Sequence, residues 1–126
     1  MIKFNDVSSQ WPFIASNATK RINKLHESGD YILGADVEIF ENKFSEWNGN
    51  SYSMSVSNGL DGLYLAGAAL NLTGTVRIYI PSNTFIATFF GLQRAYPNAS
   101  FVSIDCTDSY LIDINLLKET INNDMS

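Results

Sequence analysis

Residues 55–63 read Ser-Val-Ser-Asn-Gly-Leu-Asp-Gly-Leu, and they join a predicted strand to a predicted helix. Gly59 lacks a Cβ atom and can turn tightly. The backbone N–H groups of Gly59, Leu60 and Asp61 would then point toward an anion, together with the positive end of the helix dipole. Asn58 or the preceding serine could cap the same helix. These residue types are also ordinary at helix starts, so a turn that binds nothing is the alternative.

A second turn of the same kind lies at residues 80–88, which read Ile-Pro-Ser-Asn-Thr-Phe-Ile-Ala-Thr. It too follows a short apolar strand and begins a helix. In open α/β sheets ligands bind beyond the carboxyl ends of the strands. Both turns are therefore expected on one sheet edge, where they could share one ligand.

Hydrophobic periodicity predicts helices and strands in alternation along most of the chain. The predicted helices cover residues 11–25, 37–47, 60–70, 84–96 and a segment capped by Asp113; the predicted strands cover 52–56, 76–80 and 101–104. Gly29 and Gly49 are expected to end the first two helices, and Pro81 to stop the second strand. A polar tail is expected at residues 122–126. The order favours one α/β domain with a parallel sheet and right-handed crossovers.

Gly67 interrupts the apolar side of the third predicted helix. A glycine in the middle of a helix costs about 1 kcal/mol relative to alanine. Its presence predicts that another element packs closely against the helix at this point.

Two upstream segments complete a recognisable series: Asp-Tyr-Ile-Leu-Gly at 30–34 and Val-Glu-Ile-Phe-Glu at 37–41. Together with the two turns and Phe-Val-Ser-Ile-Asp at 101–105, they resemble the DegT-type nucleotide-sugar aminotransferases, which are pyridoxal-phosphate (PLP) enzymes of fold type I. The resemblance covers nearly the whole chain. It implies the amino-terminal part of the PLP-binding large domain, with parallel strands, flanking helices and an incomplete sheet. Residues 1–126 would form a single incomplete domain, with a helical segment at 1–49 and a βαβαβα portion at 50–126.

The resemblance implies a cofactor-binding role for Asn58, Gly59, Leu60 and Phe85. Gly59 and Leu60 would give their backbone N–H groups to the PLP phosphate. The family often has threonine at the position of Leu60, so leucine removes a hydroxyl contact but keeps the amide donor. Phe85 would lie against the pyridine ring, although a core phenylalanine explains this residue about as well.

The same resemblance implies a substrate-binding role for Tyr31 and Gly34, which match the segment that helps to enclose the sugar. Asn83 and Thr84 belong to the matched second turn without an assigned role. Ser103 replaces a frequent family aspartate, and Asp105 keeps the second one. Asp105 is interpreted as structural.

Two parts of the family's catalytic apparatus have no counterpart here. The aspartate that pairs with the pyridine nitrogen and the Schiff-base lysine both lie downstream of the last matched strand in that family. The five lysines of this chain occupy no family motif and are interpreted as surface charges. We therefore assign no catalytic residue. The prediction is a truncated aminotransferase, inactive alone, whose relatives transfer an amino group, usually from glutamate, to a keto sugar nucleotide for surface-polysaccharide or modified-sugar biosynthesis.

Two alternatives stay open. The chain could be one subunit of a split aminotransferase, with a carboxyl-terminal polypeptide supplying the missing strands, aspartate and lysine. It could instead be a non-enzymatic α/β module that binds a phosphorylated ligand or a protein through the surfaces of Trp11, Phe40, Phe44 and Trp47. Family members are homodimers, so self-association is a further expectation.

The resemblance also implies an unusual position for the strand at 52–56. In the family this strand is separated from the next two by strands that come later in the chain. Here it would either pair with a non-native neighbour or leave a gap with unpaired N–H and C=O groups.

Composition excludes several other classes of function. The chain has 8 Lys+Arg against 13 Asp+Glu, a formal net charge of −5, and no basic stripe, which argues against nucleic acid or an anionic membrane as partner. No apolar run approaches the ~20 residues of a membrane span and no signal peptide is evident, so a cytoplasmic location is expected. The sequence has one cysteine, Cys106, and one histidine, His26, so it can form neither a disulfide framework nor a Cys/His metal site. The sequence has no Gly-x-Ser-x-Gly nucleophile elbow, which argues against an α/β-hydrolase. No lysine follows the glycine turn, which argues against a Walker-type nucleotide site.

Overall fold

The computed structural model describes residues 4–125, which divide into two compact units at residue 55. The first unit is helical. A 3₁₀ turn at Val7–Gln10 leads into α1 (Trp11–Ser28), and α2 (Ala35–Asn48) follows. Both helices end at a glycine in the left-handed conformation, Gly29 at φ 74° and Gly49 at φ 70°. The prediction of two helices with glycine ends is confirmed.

Side chains within the first unit join its segments. The Arg21 guanidinium pairs with the Asp36 carboxylate, which connects α1 to α2. The carboxylate of Glu41 accepts a hydrogen bond from the backbone N–H of Ser55 at 2.6 Å.

The predicted strand at 52–56 does not form, and this prediction is wrong. Its apolar alternation is present, but a strand exists only where a neighbouring strand accepts and donates its backbone hydrogen bonds. The Ser55 N–H donates to a side-chain carboxylate instead. Pairing with a non-native neighbour is therefore not seen among residues 4–125, and the gap in the sheet remains a prediction. The division into one incomplete domain remains a prediction.

The second unit is α/β, as predicted. Its elements are α3 (Gly59–Ala69), β1 (Arg77–Pro81), α4 (Ala87–Ala95), β2 (Ser100–Ile104) and α5 (Ile114–Asp124). The two strands are parallel and in register from Arg77↔Ser100 to Pro81↔Ile104. A parallel strand, crossover helix and parallel strand are thus in place.

Several boundaries differ from the predicted ones. Pro81 is the last residue of β1 rather than the residue that stops it, because its missing N–H would point away from β2 in this register. Helix α4 begins at Ala87, three residues later than predicted. Helix α5 continues to Asp124 into the expected polar tail. Its N-cap is Asp113, as predicted, whose side chain accepts from the N–H groups of Asn115 and Leu116.

Helices cover the two faces of the strand pair. Phe101 of β2 meets Phe89 of α4 with ring centroids 4.5 Å apart. On the other face, the Tyr79 hydroxyl of β1 donates to Asp124 of α5 at 2.7 Å. Phe101 pairs with Ile78 and therefore lies on the same face of the sheet as Ile78. Neighbouring residues of a strand point to opposite faces, so Tyr79 lies on the other face, and α4 and α5 are on opposite sides of the sheet. Ile104, 2% exposed, is the only buried hydrophobic residue in the described part of the chain.

Helices α3 and α4 approach each other closely at two buried glycines. A Cβ atom on Gly67 would lie 3.1 Å from the Cβ of Ala95. One on Gly91 would lie 2.8 Å from the carbonyl oxygen of Leu60 and 3.0 Å from the Cβ of Leu63. The close packing predicted from Gly67 is confirmed. The contact at Gly91 holds the first turn of α3 against α4.

Candidate functional site

The N-terminus of α3 is capped by Asn58. Its backbone is extended, with φ −165° and ψ 171°, and its Oδ1 accepts a hydrogen bond from the N–H of Asp61 at 2.9 Å. The Gly62 N–H donates to the Asn58 carbonyl at 3.1 Å. Among residues 4–125, the N–H groups of Gly59 and Leu60 therefore have no acceptor. The Asp61 amide, which the sequence suggested as a third anion donor, is used by the cap.

The four predicted cofactor-binding residues line a single groove within the second unit. The groove is open, mostly apolar and has a volume of about 540 Å³; its lining consists of Asn58, Gly59, Leu60, Leu63, Phe85, Ala87 and Thr88. Phe85 is 78% exposed, so its ring is accessible and is not a core residue. The two turns thus contribute to one groove, although α3 has no strand before it.

Hydrogen bonds also fix the turn after β1. The Ser82 hydroxyl donates to Oδ1 of Asp105 at 3.1 Å, and the Cys106 N–H donates to the same oxygen at 2.8 Å. The hydroxyls of Thr84 and Thr88 lie 2.9 Å apart. Asp105 therefore ties the end of β2 to the turn that carries Phe85, which agrees with its structural interpretation.

A polar cluster around Asp61 lies directly behind the cap. The Asp61 carboxylate accepts hydrogen bonds from the Ser57 hydroxyl and from Asn58 Nδ2, the latter at 3.1 Å. Arg94 of α4 donates to its other oxygen at 3.0 Å, and the Arg94 guanidinium stands 4.2 Å above the Tyr64 ring. The Ser57 hydrogen bond lowers the pKa of Asp61, burial opposes this effect, and the Arg94 charge adds to it.

Sequence reasoning missed this cluster. The spacing Asn-x-x-Asp is close to a capping box and could have indicated the role of Asp61 at the helix start. No sequence signal pairs Asp61 with Arg94, which lies 33 residues further along the chain.

Tyr31 and Gly34, the predicted substrate-binding residues, belong to the first unit. The Tyr31 hydroxyl lies 2.7 Å from Nδ1 of His26, and the two rings meet edge to face. A Cβ atom on Gly34 would lie only 2.6 Å from the Asp30 carbonyl oxygen. Gly34 therefore has a local steric reason to be glycine.

The described residues offer neither a metal centre nor a membrane-spanning helix. No group of three or more His, Cys, Asp or Glu side chains between residues 4 and 125 could hold a metal ion. In the same range, no helix combines the length and apolar character needed to cross a membrane.

Comparison with known proteins identifies the family. The model of the DegT/DnrJ/EryC1/StrS aminotransferase family matches residues 12–126. The chain belongs to this family. A DegT DnrJ EryC1 StrS aminotransferase from Brucella abortus has the same fold, with a TM-score of 0.88 and 28% identity over 99% of this chain and 33% of that one. The fold predicted from the resemblance is thereby confirmed.

Two curated relatives of this DegT-type chain have different reactions in their names. One is the dTDP-3-amino-3,6-dideoxy-alpha-D-galactopyranose transaminase of Aneurinibacillus thermoaerophilus, 33% identical over 96% of this chain and 33% of the relative. The other is the GDP-4-keto-6-deoxy-D-mannose 3-dehydratase of Yersinia pseudotuberculosis, 33% identical over 96% of this chain and 31% of the relative. The chain thus spans about a third of the length of these relatives.

The residues present fit the phosphate end of PLP, the cofactor that this family implies. The amides of Gly59 and Leu60, which have no acceptor in the described part of the chain, lie at the positive end of an 11-residue helix. Apart from its chain neighbours and the backbone of its own helix, no atom lies within 4 Å of the position where a Cβ on Gly59 would be, so the backbone there is accessible. The exposed Phe85 ring lines the same groove and offers an apolar face to an aromatic ligand.

Proposed function

We propose that this chain forms the phosphate-binding and ring-binding part of a PLP-dependent nucleotide-sugar aminotransferase. The observation that carries the proposal is the shared groove, which brings the free amides of Gly59 and Leu60 together with the Phe85 ring. The reaction proposed for the whole enzyme transfers an amino group from an amino acid such as glutamate to a keto sugar nucleotide. Surface-polysaccharide or modified-sugar biosynthesis in the cytoplasm is the proposed setting.

Each residue has a separate task in this proposal. The N–H groups of Gly59 and Leu60 hold the cofactor phosphate at the end of the helix dipole. Asn58 caps α3 and keeps both amides directed at the groove. Phe85 lies against the pyridine ring. PLP itself, when bound, supplies the electron sink of the reaction. Tyr31 and Gly34 are proposed to contribute to the sugar site.

Amino transfer is favoured over dehydration by the family description and by the first of the two relatives above. Both relatives' names refer to sugars attached to a nucleoside diphosphate, which supports that substrate class. We propose no nucleic acid or membrane partner.

We also propose that the 126-residue polypeptide does not turn over substrate by itself. None of the described residues that line the groove carries an ionisable side chain. A base that moves a proton at the substrate carbon must therefore come from elsewhere. The remaining two thirds of such an enzyme would have to supply it.

A titration with pyridoxamine phosphate tests the assignment of the groove, because this cofactor form cannot condense with surface lysines. Amide NMR should show shifts at Gly59, Leu60 and Phe85. The variant Gly59→Pro removes one N–H donor at a position where proline suits a helix, and the extended Asn58 tolerates a following proline. We expect its affinity to fall about tenfold or more.

The matched control is Gly59→Ala, which keeps the amide and whose added Cβ meets nothing beyond its chain neighbours and the backbone of its own helix. It should bind like the wild type. The proposal is wrong if the wild-type chain shows no shifts at millimolar ligand, or if Gly59→Pro binds as tightly as Gly59→Ala.

A further inference from the structure

The helix end that is proposed to bind a phosphate also carries a negative charge of its own. Asp61 lies in the first turn of α3, two residues after Gly59. Its pKa is held below the ordinary value, so it is ionised at neutral pH. An unpaired carboxylate at this place would repel a phosphate dianion at the neighbouring amides.

The structure pairs this carboxylate on two sides. The Ser57 hydroxyl and the Asn58 amide group bind one oxygen, and the Arg94 guanidinium binds the other at 3.0 Å. Ser57 and Asn58 are neutral, so Arg94 is the cation that offsets the charge. Its position is set by the last turn of α4 and by the Tyr64 ring beneath it.

We propose that Arg94 is a positioning residue for anion binding: it offsets the charge of Asp61, so that a phosphate ester can bind at the Gly59 and Leu60 amides. This inference rests on the proposed function. Arg94 is not among the groove-lining residues, so it acts through Asp61 rather than on the ligand directly.

A purely structural role makes a different prediction. Arg94 joins α3 to α4 and covers Tyr64, and these contacts could stabilise the helix pair without affecting anion binding. If the role of Arg94 were only structural, also replacing Asp61 could not restore the phosphate affinity that is lost with Arg94. In the charge-offset role it must do so, because the repelling carboxylate is then gone.

The test measures the affinities of pyridoxamine phosphate and of pyridoxamine, which lacks the phosphate, for four variants. Arg94→Met should weaken binding of the phosphate ester about fivefold and leave pyridoxamine unaffected. Arg94→Lys keeps the cation and should bind like the wild type. The double variant Arg94→Met/Asp61→Asn should recover most of the lost affinity. Arg77→Met is the matched control. It breaks the ion pair between Arg77, at the start of β1, and Asp124 of α5, and it should leave the affinity for both ligands unchanged.

Two results would overturn the inference: wild-type affinity in Arg94→Met, or a double variant as weak as Arg94→Met. The amide NMR spectrum of each variant reports whether that variant is folded. If Arg94→Met is not folded, Arg94→Lys still tests the charge-offset role of Arg94. Failure of the proposed function looks different, since the wild-type chain itself would then not bind the phosphate ester.

Discussion

At the scale of single residues, Asp124 has two hydrogen-bonding partners on β1. The Tyr79 hydroxyl donates to it at 2.7 Å, and Arg77 pairs with it at 2.6 Å. The Tyr79 hydrogen bond is the largest reason why the pKa of Asp124 is lowered, and Arg77 adds to the effect. In turn, the hydrogen bond to Asp124 raises the pKa of Tyr79. Both shifts couple the stability of the β1–α5 contact to pH.

The variant Tyr79→Phe should flatten this pH dependence at both ends. The stabilisation by Asp124 is complete above its ordinary pKa of 3.8 and is lost as the pH falls through the lowered folded value. The stabilisation by Tyr79 is complete below 10.0 and is lost as the pH rises through the raised folded value. Thermal unfolding followed by circular dichroism from acid to alkaline pH measures both effects.

Tyr110→Phe is the control for this experiment, since Tyr110 is 78% exposed and its hydroxyl has no hydrogen-bond partner in the described part of the chain. It should keep the wild-type profile. An acid profile of Tyr79→Phe identical to that of the wild type would contradict the assigned role of the Tyr79 hydrogen bond.

At the scale of elements, the contact between α3 and α4 positions the groove. The Gly91 backbone lies against the first turn of α3, with no space for a methyl group between it and Leu60. The Tyr96 hydroxyl adds a hydrogen bond to the Gly67 carbonyl at 2.7 Å. Because the Leu60 amide belongs to this turn, a shift of α4 would move the proposed phosphate donors.

Gly91→Ala should therefore lower the free energy of unfolding by about 1–2 kcal/mol, because the overpacking cost exceeds the helix-propensity gain of alanine. The matched control is Gly62→Ala on α3, where the added Cβ would meet only Val56 Cγ2, at 3.5 Å. It should raise the free energy of unfolding by about 0.5–1 kcal/mol. Urea unfolding midpoints give both values. Equal midpoints for the two variants would show that the interface can yield.

At the scale of the whole molecule, little apolar surface is buried for a chain of this length. Ile104 is the only buried hydrophobic residue among residues 4–125, and Phe40, Trp47 and Phe85 are 58%, 80% and 78% exposed. Within residues 4–125 the sheet has two strands, fewer than an independently stable sheet usually needs. The solved relative carries the same fold within a chain three times as long.

We therefore expect the 126-residue chain to be stabilised by the rest of a DegT-type protein. Mixing it with the carboxyl-terminal two thirds of a relative should raise its melting temperature and lower its binding of an apolar dye, because exposed side chains become covered. The amino-terminal third of the same relative is the control, since it duplicates this chain instead of completing it. An unchanged melting temperature with both portions would contradict this expectation.

The sequence predicted the features that depend on neighbours along the chain. Asn58 and Asp113 cap helices because their side chains reach N–H groups two or three residues ahead. Gly29 and Gly49 end helices for an equally local reason. A turn after the second predicted strand was placed correctly because a short apolar strand and Pro81 precede it, but the helix begins at Ala87, so Phe85 lies in the turn rather than in the predicted helix.

Tertiary structure alone decided the features that need a distant partner. The segment at 52–56 has a strand pattern but forms no strand, because backbone pairing requires a neighbouring strand that no local pattern supplies. Asp61 meets Arg94, and Gly91 meets Leu60, only after α3 and α4 have packed together. The sequence by itself thus determined the family's motifs and the helix ends at Gly29, Gly49, Asn58 and Asp113, which rest on interactions within one or two turns of chain. The groove and the charge at its edge were set by contacts between residues far apart in the chain.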